Sequence, residues 1–270
     1  MSGQAPPNVG RITYRENLTP DLAIIRVQPA DGSAVPDFKA GQFVALGLKV
    51  DGEDKITYRA YSLSSPPEEK RHFEFYIKWA TEPVMGKFTS VLFEMGGSGE
   101  LYWRRPAGAF TIEDKKADGS RETRRLVLVA SGTGVAPFIS YALHLKSAGS
   151  KREIVLLHGA KYAQELGYRD VLERLAADDP HFKYLPTVSR PDHPLSQGWR
   201  GSTGRVESLL RLQLEKAVGE KVTPENSFFH ICGYQGTIDS VVAILGQLGF
   251  VTNRSKRKDG SFDIKIETYG

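Results

Sequence analysis

One cysteine, Cys232, in 270 residues removes two classes of protein at once. No internal disulfide framework is available, and neither is an iron–sulfur cluster held by four thiolates. The six histidines, at 72, 144, 158, 181, 193 and 230, lack close metal-ligand spacing, so no metal site is expected. No apolar run approaches the roughly 20 residues of a membrane span. The opening MSGQAPPNVG has neither a positive n-region nor an apolar h-region. Residues 1–10 therefore read as a disordered tail, and the chain as cytoplasmic with no membrane partner. Internal repeats and low-complexity tracts are also missing. Charge of neither sign dominates: 36 Lys and Arg stand against 32 Asp and Glu, a net +4 with a pI near 9.0. That balance mildly favours an acidic partner. Basic residues are spread over both halves without a recognised motif, which argues against nucleic acid.

What is present divides in two. EDKKADGSRETRR, residues 113–125, holds one apolar residue, Ala117, and the turn pair Asp118-Gly119. It reads as a hydrophilic connector or a long hairpin loop. Before it come short strand-like runs. In HFEFYIKW, Phe73, Phe75, Ile77 and Trp79 share one face, the period of a half-buried strand. QFVALGL, RAYSLSS and ELYWRR are further strands, and GKFTSVLFEM one helix. Residues 11–115 are thus expected to form an antiparallel β-barrel or sandwich. After the connector, strands RLVLVA, EIVLLHGA, FKYLPTVS and SFFHICGY alternate with helices APFISYALHLKSAG, YRDVLERLAA, RVESLLRLQLEKA and IDSVVAILGQLG. That alternation predicts a doubly wound α/β domain with a parallel sheet over residues 116–270.

The loop in VASGTGVAPFIS, residues 129–140, lies between the first buried strand of the α/β half and its first helix. Such folds place ligand phosphates there, because backbone N–H groups and the helix dipole favour an anion. Gly132 and Gly134 would let the backbone turn and approach a ligand, and Pro137 suits a first helical turn. A simple tight turn explains the loop about as well. After the next strand Lys161 stands where NAD-preferring folds carry a carboxylate for the ribose 2′-hydroxyl. Arg190 and Arg205, each near hydroxyl residues at strand ends, would suit a 2′-phosphate, although solvated arginines explain them too and Asp192 close by would oppose it. In the first half, RAYS (Arg59–Ser62) and GKFT (Gly86–Thr89) offer a cation, an aromatic face and hydroxyls near a helix start. A flavin with its pyrophosphate would use these, as would ordinary strand and cap positions.

Taken together and in order, RAYS, GKFT, SGTGVAP, HGAKYAQEL, VSR…TGR, ICG and the terminal ETY resemble the plant-type ferredoxin–NADP reductases, most of all the bacterial ferredoxin/flavodoxin–NADP reductases. The resemblance runs from about residue 10 to residue 270 and implies an FAD-binding β-barrel followed by an NADP(H)-binding α/β domain. It implies that Arg59 meets the FAD pyrophosphate, Tyr61 stacks on the flavin and Ser62 hydrogen-bonds near N5. Ala60, Tyr76, Ile77, Lys78, Lys87, Phe88 and Thr89 belong to the FAD-contacting segments. Thr133 would serve the flavin and the NADP phosphates. Gly132, Gly134, Lys161, Ser189, Arg190 and Arg205 would hold NADP, with Cys232 and Gly233 beside the nicotinamide. Ser62, Cys232, Glu267 and Tyr269 form the implied catalytic set, with Tyr269 covering the isoalloxazine. Three departures stand out: Lys161 where close bacterial relatives often carry Arg, Gly270 after the shielding aromatic, and a long connector at 113–125.

The implied activity is electron transfer between NADP(H) and a separate, acidic ferredoxin or flavodoxin, with the chain read as a monomer. Basic runs at 103–105, 115–116 and 256–258 would steer such a partner, although a charge run is more often a solvated face. The alternatives are the reductase component of an oxygenase or another dedicated redox system, and a flavin-binding regulator without turnover.

Overall fold

The computed structural model describes residues 8–50, 52, 55–81 and 85–268. The chain divides into two compact units: Met1–Thr111 with Ile139–His144, and Ile112–Phe138 with Leu145–Gly270. The division falls a few residues before the expected boundary at 115.

The first unit holds strands β1 (Asn8–Thr19), β2 (Leu22–Pro29), β3 (Phe43–Lys49), β4 (Ile56–Ser62), β5 (Phe73–Lys78) and β6 (Gly99–Trp103), and helix α1 (Lys87–Glu94). The six strands form a sheet in the order β4-β3-β6-β1-β2-β5, every pair antiparallel. Its two end strands meet. Leu63, just after β4, bridges Phe75 of β5, and Ser64 N–H donates to the Glu74 carbonyl at 2.8 Å. The sheet therefore closes into the expected barrel, which leaves few unpaired edges. Phe73, Phe75 and Ile77 share the expected face, buried in the barrel core with Val27, Leu46 and Leu101, and Trp79 packs against it. β5 is not half-buried, however, since Glu74 and Tyr76 on its other face are buried too. Glu74 receives Arg26 Nε at 2.7 Å. One expectation needs correction. Asn8, Val9 and Gly10 are not tail but the start of β1, paired with Trp103, Tyr102 and Leu101 of β6. Residues 1–7 lie outside the described residues.

The second unit contains β7 (Arg125–Ser131), β8 (Ile154–Ala160), β9 (Phe182–Val188), β10 (Ser202–Thr203), β11 (Ser227–Gly233) and β12 (Ile264–Thr268). Its helices are α2 (Ala136–Ser147), α3 (Arg169–Asp178), α4 (Val206–Leu212), α5 (Leu214–Val218) and α6 (Gln235–Gln247). The sheet is parallel throughout, in the order β10-β9-β8-β7-β11-β12. The chain winds outward from β7 to β10 and then returns to β11 on the other side of β7. The switch point lies between β7 and β11, where such sheets bind ligands at the carboxyl ends of their strands. Every residue of β7, β8 and β11 is buried, as their continuous apolar character requires. Val127, Val129, Phe229 and Ile231 pack in one core with Leu209 of α4 and Val241 of α6.

RVESLLRLQLEKA forms two helices, not one. Gln213 leaves helical geometry at φ −126°, and its side-chain amide donates to Ser202 Oγ at 2.9 Å. The hydrophilic connector is the hairpin alternative: Lys115 bridges Arg121 antiparallel, Lys116 N–H donates to the Ser120 carbonyl at 2.8 Å, and Gly119 takes the turn. Arg152, half-buried, donates to the carbonyls of Glu113 and Arg124.

Candidate functional site

In the first unit the candidate flavin residues lie along β4 and the start of α1. Only Ser62 among the seven residues of β4 is buried, while Arg59 and Ala60 are exposed. Arg59 and Ala60, adjacent and so on opposite faces, leave this end of the strand open to a ligand lying along it. Tyr61 is half-buried, its ring 5.9 Å from that of Phe88 at 34° and 6.5 Å from that of Phe75 at 72°. Burial pushes the Tyr61 phenol well above its ordinary value, with Arg59 pulling weakly the other way. The ring contact joins β4 to α1. A second link joins α1 to the segment after β5: Thr89 Oγ1 donates to the Gly86 carbonyl at 3.0 Å and accepts from Ala80 N–H at 3.2 Å. Three stretches distant in sequence, around Arg59–Ser62, Tyr76–Lys78 and Lys87–Thr89, are thereby tied together. Their side chains are not equivalent. Ile77 and Phe88 belong to the core, leaving backbone groups alone for a ligand. Tyr76 is buried, Lys78 lies 3.4 Å from Asp21, and Lys87 is exposed. The Arg59 guanidinium donates to the Tyr58 carbonyl at 2.9 Å.

In the second unit the glycine loop lies where expected, between the first strand and the first helix of the parallel sheet. β7 ends at Ser131, a 3₁₀ turn covers Gly132–Val135, and α2 follows with Pro137 in its first turn. Gly134 has a reason beyond flexibility. A Cβ there would sit 2.1 Å from the Cys232 carbonyl oxygen and 3.0 Å from Gly233 Cα. The loop thus lies flush against the end of β11, and bare backbone meets bare backbone at the switch point. Parallel register then sets Cys232 beside Ala130 on one side and beside Glu267 on the other. Cys232 is buried, and its thiol donates to Glu267 Oε2 at 3.7 Å. Two members of the implied catalytic set are therefore neighbours. Ser62 belongs to the first unit, and Tyr269 lies outside the described residues.

The candidate phosphate cations come from three adjacent strands. Arg190 N–H donates to the Lys161 carbonyl and Ser189 N–H to that of Ala160, both at 3.0 Å, beyond the ends of β8 and β9. β10 extends this row: Gly204 N–H donates to the Val188 carbonyl at 2.9 Å, and Arg205 starts α4. Lys161, Ser189, Arg190 and Arg205 are all exposed, as is Asp192. Two features escaped sequence reading. The rings of Tyr162 and His193 stack at 4.2 Å and 29°, with Lys161 Nζ 5.3 Å from the tyrosine centroid. Exposed Tyr234, at the start of α6, lies over Gly132. An aromatic directly after Lys161, and another after Gly233, were the only signals.

Residues 10–112 match the model of the oxidoreductase FAD-binding domain, and residues 128–243 that of the oxidoreductase NAD-binding domain. The chain is 29% identical over 224 residues to a flavohemoprotein of Deinococcus radiodurans, covering 82% of this chain and 51% of that protein. It is 28% identical over 238 residues to a ferredoxin–NADP reductase of Pseudomonas aeruginosa, covering 84% of this chain and 86% of that one. The chain thus spans about half the length of the first relative and most of the second. Its fold matches the crystal structure of a ferredoxin NADP+ reductase from Neisseria gonorrhoeae with bound FAD and NADP. The TM-score is 0.78 at 22% identity, over 98% of this chain and 99% of the other. Among the described residues no helix is long and apolar enough to cross a membrane.

Proposed function

We propose, for a chain that belongs to the FAD- and NAD-binding oxidoreductases of the ferredoxin–NADP reductase family, that it exchanges electrons between NADP(H) and a one-electron protein carrier of the ferredoxin or flavodoxin type. The observation that carries the NADP(H) part is the row of exposed cations, Lys161, Arg190 and Arg205, that follows the carboxyl ends of β8, β9 and β10, from next to β7 out to the sheet edge. Guanidinium groups there suit the doubly charged 2′-phosphate that NADP has and NAD lacks.

The residues present fit both groups. Along β4, Arg59 would neutralise the FAD pyrophosphate with help from the α1 N-terminus, Tyr61 would stack on the ring system, and Ser62 would hydrogen-bond beside it. Bound flavin supplies what no side chain can, accepting an electron pair from the nicotinamide and passing electrons on singly. The protein's own share is alignment and exclusion of water. Gly132 and Gly134 admit the NADP pyrophosphate to backbone N–H groups, and Thr133 adds its hydroxyl. Cys232, Gly233 and Glu267 border the nicotinamide, the thiol holding the carboxylate in place through their contact. Tyr269 is assigned the movable cover over the flavin.

The test is stoichiometric. One NADPH should reduce two equivalents of an acidic ferredoxin or flavodoxin, with a carrier KM that rises about fivefold or more from low to physiological ionic strength. Rapid reduction of ferricyanide with no reduction of any one-electron protein carrier would exclude this acceptor class while leaving the nucleotide sites standing.

A further inference from the structure

Two of the basic runs, Lys115-Lys116 and the segment around Lys256, meet in the fold. With Arg124 and Arg257 they line a groove of about 600 Å³ in the second unit, floored by Phe228, Phe262 and Pro224. Its walls are the 113–124 hairpin and the stretches that lead into β11 and β12. The groove is therefore at the amino ends of β7, β11 and β12, whereas the nucleotide residues follow the carboxyl ends. A seven-residue strand separates the two edges by ~20 Å.

The charges of this groove sort into two kinds. Its inner acids are already engaged. Glu122 receives Arg124 Nη2 at 2.6 Å, and Asp263 receives Arg124 Nη1 at 2.8 Å and Arg257 Nη2 at 2.5 Å. Glu113 pairs with Lys265. Burial alone would raise the Glu122 carboxyl, but Arg124 outweighs it and holds the group below its ordinary value. These pairs neutralise the inner charges beside the apolar floor and leave no net demand for a ligand. The rim differs. Lys115, Lys116 and Lys256 are exposed, and none pairs with a carboxylate among the described residues. Lys256 Nζ is 5.2 Å from the centroid of half-buried Phe262. Glu225 is the one lining acid without a cationic partner among the described ion pairs. An apolar floor inside a cationic rim has the anatomy of a protein interface.

We propose that this groove docks an acidic segment of a partner protein, its carboxylates on Lys115, Lys116 and Lys256 and an apolar side chain against Phe262. A small anion would leave the apolar floor unused, so the pairing of rim and floor favours a peptide. Docking here is remote from the nicotinamide edge. It would tether a partner without being the contact through which electrons pass, and it does not depend on which nucleotide is bound.

The experiment measures fluorescence polarisation of a labelled peptide carrying glutamates around a central Leu-Phe, with the FAD-loaded full chain. The peptide should bind at low salt and weaken about tenfold or more in Lys115→Gln/Lys116→Gln/Lys256→Gln, since three partly exposed ion pairs are lost together. NADPH–ferricyanide turnover of that variant should be unchanged. An equal charge removal on exposed helix surfaces, Arg174→Gln/Arg211→Gln/Lys216→Gln, should weaken the peptide less than threefold, and a glutamine version of the peptide should not bind. Equal loss in both variants, or none in the first, overturns the proposal. Tighter binding of a single-stranded oligonucleotide would reassign the groove to nucleic acid, and displacement of the peptide by inorganic phosphate at millimolar concentration to a small anion. Absence of NADPH turnover in the wild type would count against the proposed function alone.

Discussion

Replacing Arg190 and Arg205 together by alanine is expected to raise the KM for NADPH by about a hundredfold while moving that for NADH by less than about threefold. A hydrogen bond to a charged group contributes about 1.5–3 kcal/mol, and 1.4 kcal/mol is a factor of ten. Two arginines in full contact would therefore suggest up to about four orders of magnitude. Both side chains are exposed, however, so solvent and salt screen the interaction and the smaller figure is the one to expect. Lys161 remains in the double variant and retains part of the attraction. Asp192, exposed near Arg190, offsets some of the wild-type gain, so Asp192→Asn should tighten NADPH slightly. Steady-state kinetics with both nucleotides decides the matter. Equal effects on the two would remove the 2′-phosphate assignment, because only NADPH carries that group.

The second large effect is expected from Gly134→Ala. The added methyl would meet the Cys232 carbonyl oxygen at 2.1 Å and its carbon at 2.6 Å. Both are backbone atoms of a fully buried strand and cannot swing aside as a side chain would. Either the loop or the end of β11 must shift by the better part of an ångström or more. Overpacking of this kind costs about 3 kcal/mol, which urea unfolding would read directly. The functional loss should be larger than stability alone explains. The displaced pieces are the loop proposed to hold the NADP phosphates and the strand end carrying Cys232, and misplacing a reactant by about 1 Å can cost about a hundredfold in rate. Stopped-flow reduction of the flavin by NADPH would measure it. Gly132→Ala is the control. Gly132 has φ +57°, and an added Cβ would touch only the Tyr234 ring, at 3.3 Å. That ring is exposed and able to move, so the cost should be the backbone term of about 1–2 kcal/mol. Similar damage from both substitutions would show that the close approach at Gly134 is not what matters.

Most of the architecture was legible because its signals were local. The period-two alternation at Phe73, Phe75 and Ile77, and the unbroken apolar run of β7, each reflect which faces a strand buries. The elements that went unread depend on partners elsewhere in the chain. β10 is two residues long and exists because Ser202 and Thr203 pair with Thr187 and Val188. The break between α4 and α5 follows from a hydrogen bond of Gln213 to Ser202, while the local apolar pattern reads as one helix. β1, β2 and β12 went unread as well, and the first residues of β1 look like tail composition, yet they are held by β6, distant in sequence.

The site divides the same way. Gly132, Gly134 and Pro137 announced by type and position a tight loop between a strand and a helix, the kind of place where a phosphate could bind. Nothing in their spacing said that Gly134 would press on Cys232. That contact requires β7 and β11 to be neighbours, a fact of topology. Pairing of Cys232 with Glu267 comes likewise from strand order and register. The Tyr162–His193 stack joins two loops beyond β8 and β9 and has no periodicity to reveal it. The basic runs were visible as composition, but their roles differ with place. Lys115-Lys116 and Lys256 converge on one groove of the second unit, whereas Arg104 lies over the Tyr58 ring in the first, 3.9 Å from its centroid.

The most direct measurement is an anaerobic titration of the purified protein with NADPH and, separately, with NADH, followed in the visible spectrum. A yellow flavoprotein bleached near stoichiometrically by NADPH and only weakly by NADH is the predicted result. It would support both FAD binding by the chain and the preference for a 2′-phosphate proposed for Lys161, Arg190 and Arg205. A colourless protein that cannot be reconstituted with FAD, or a flavin reduced equally well by both nucleotides, would contradict the account.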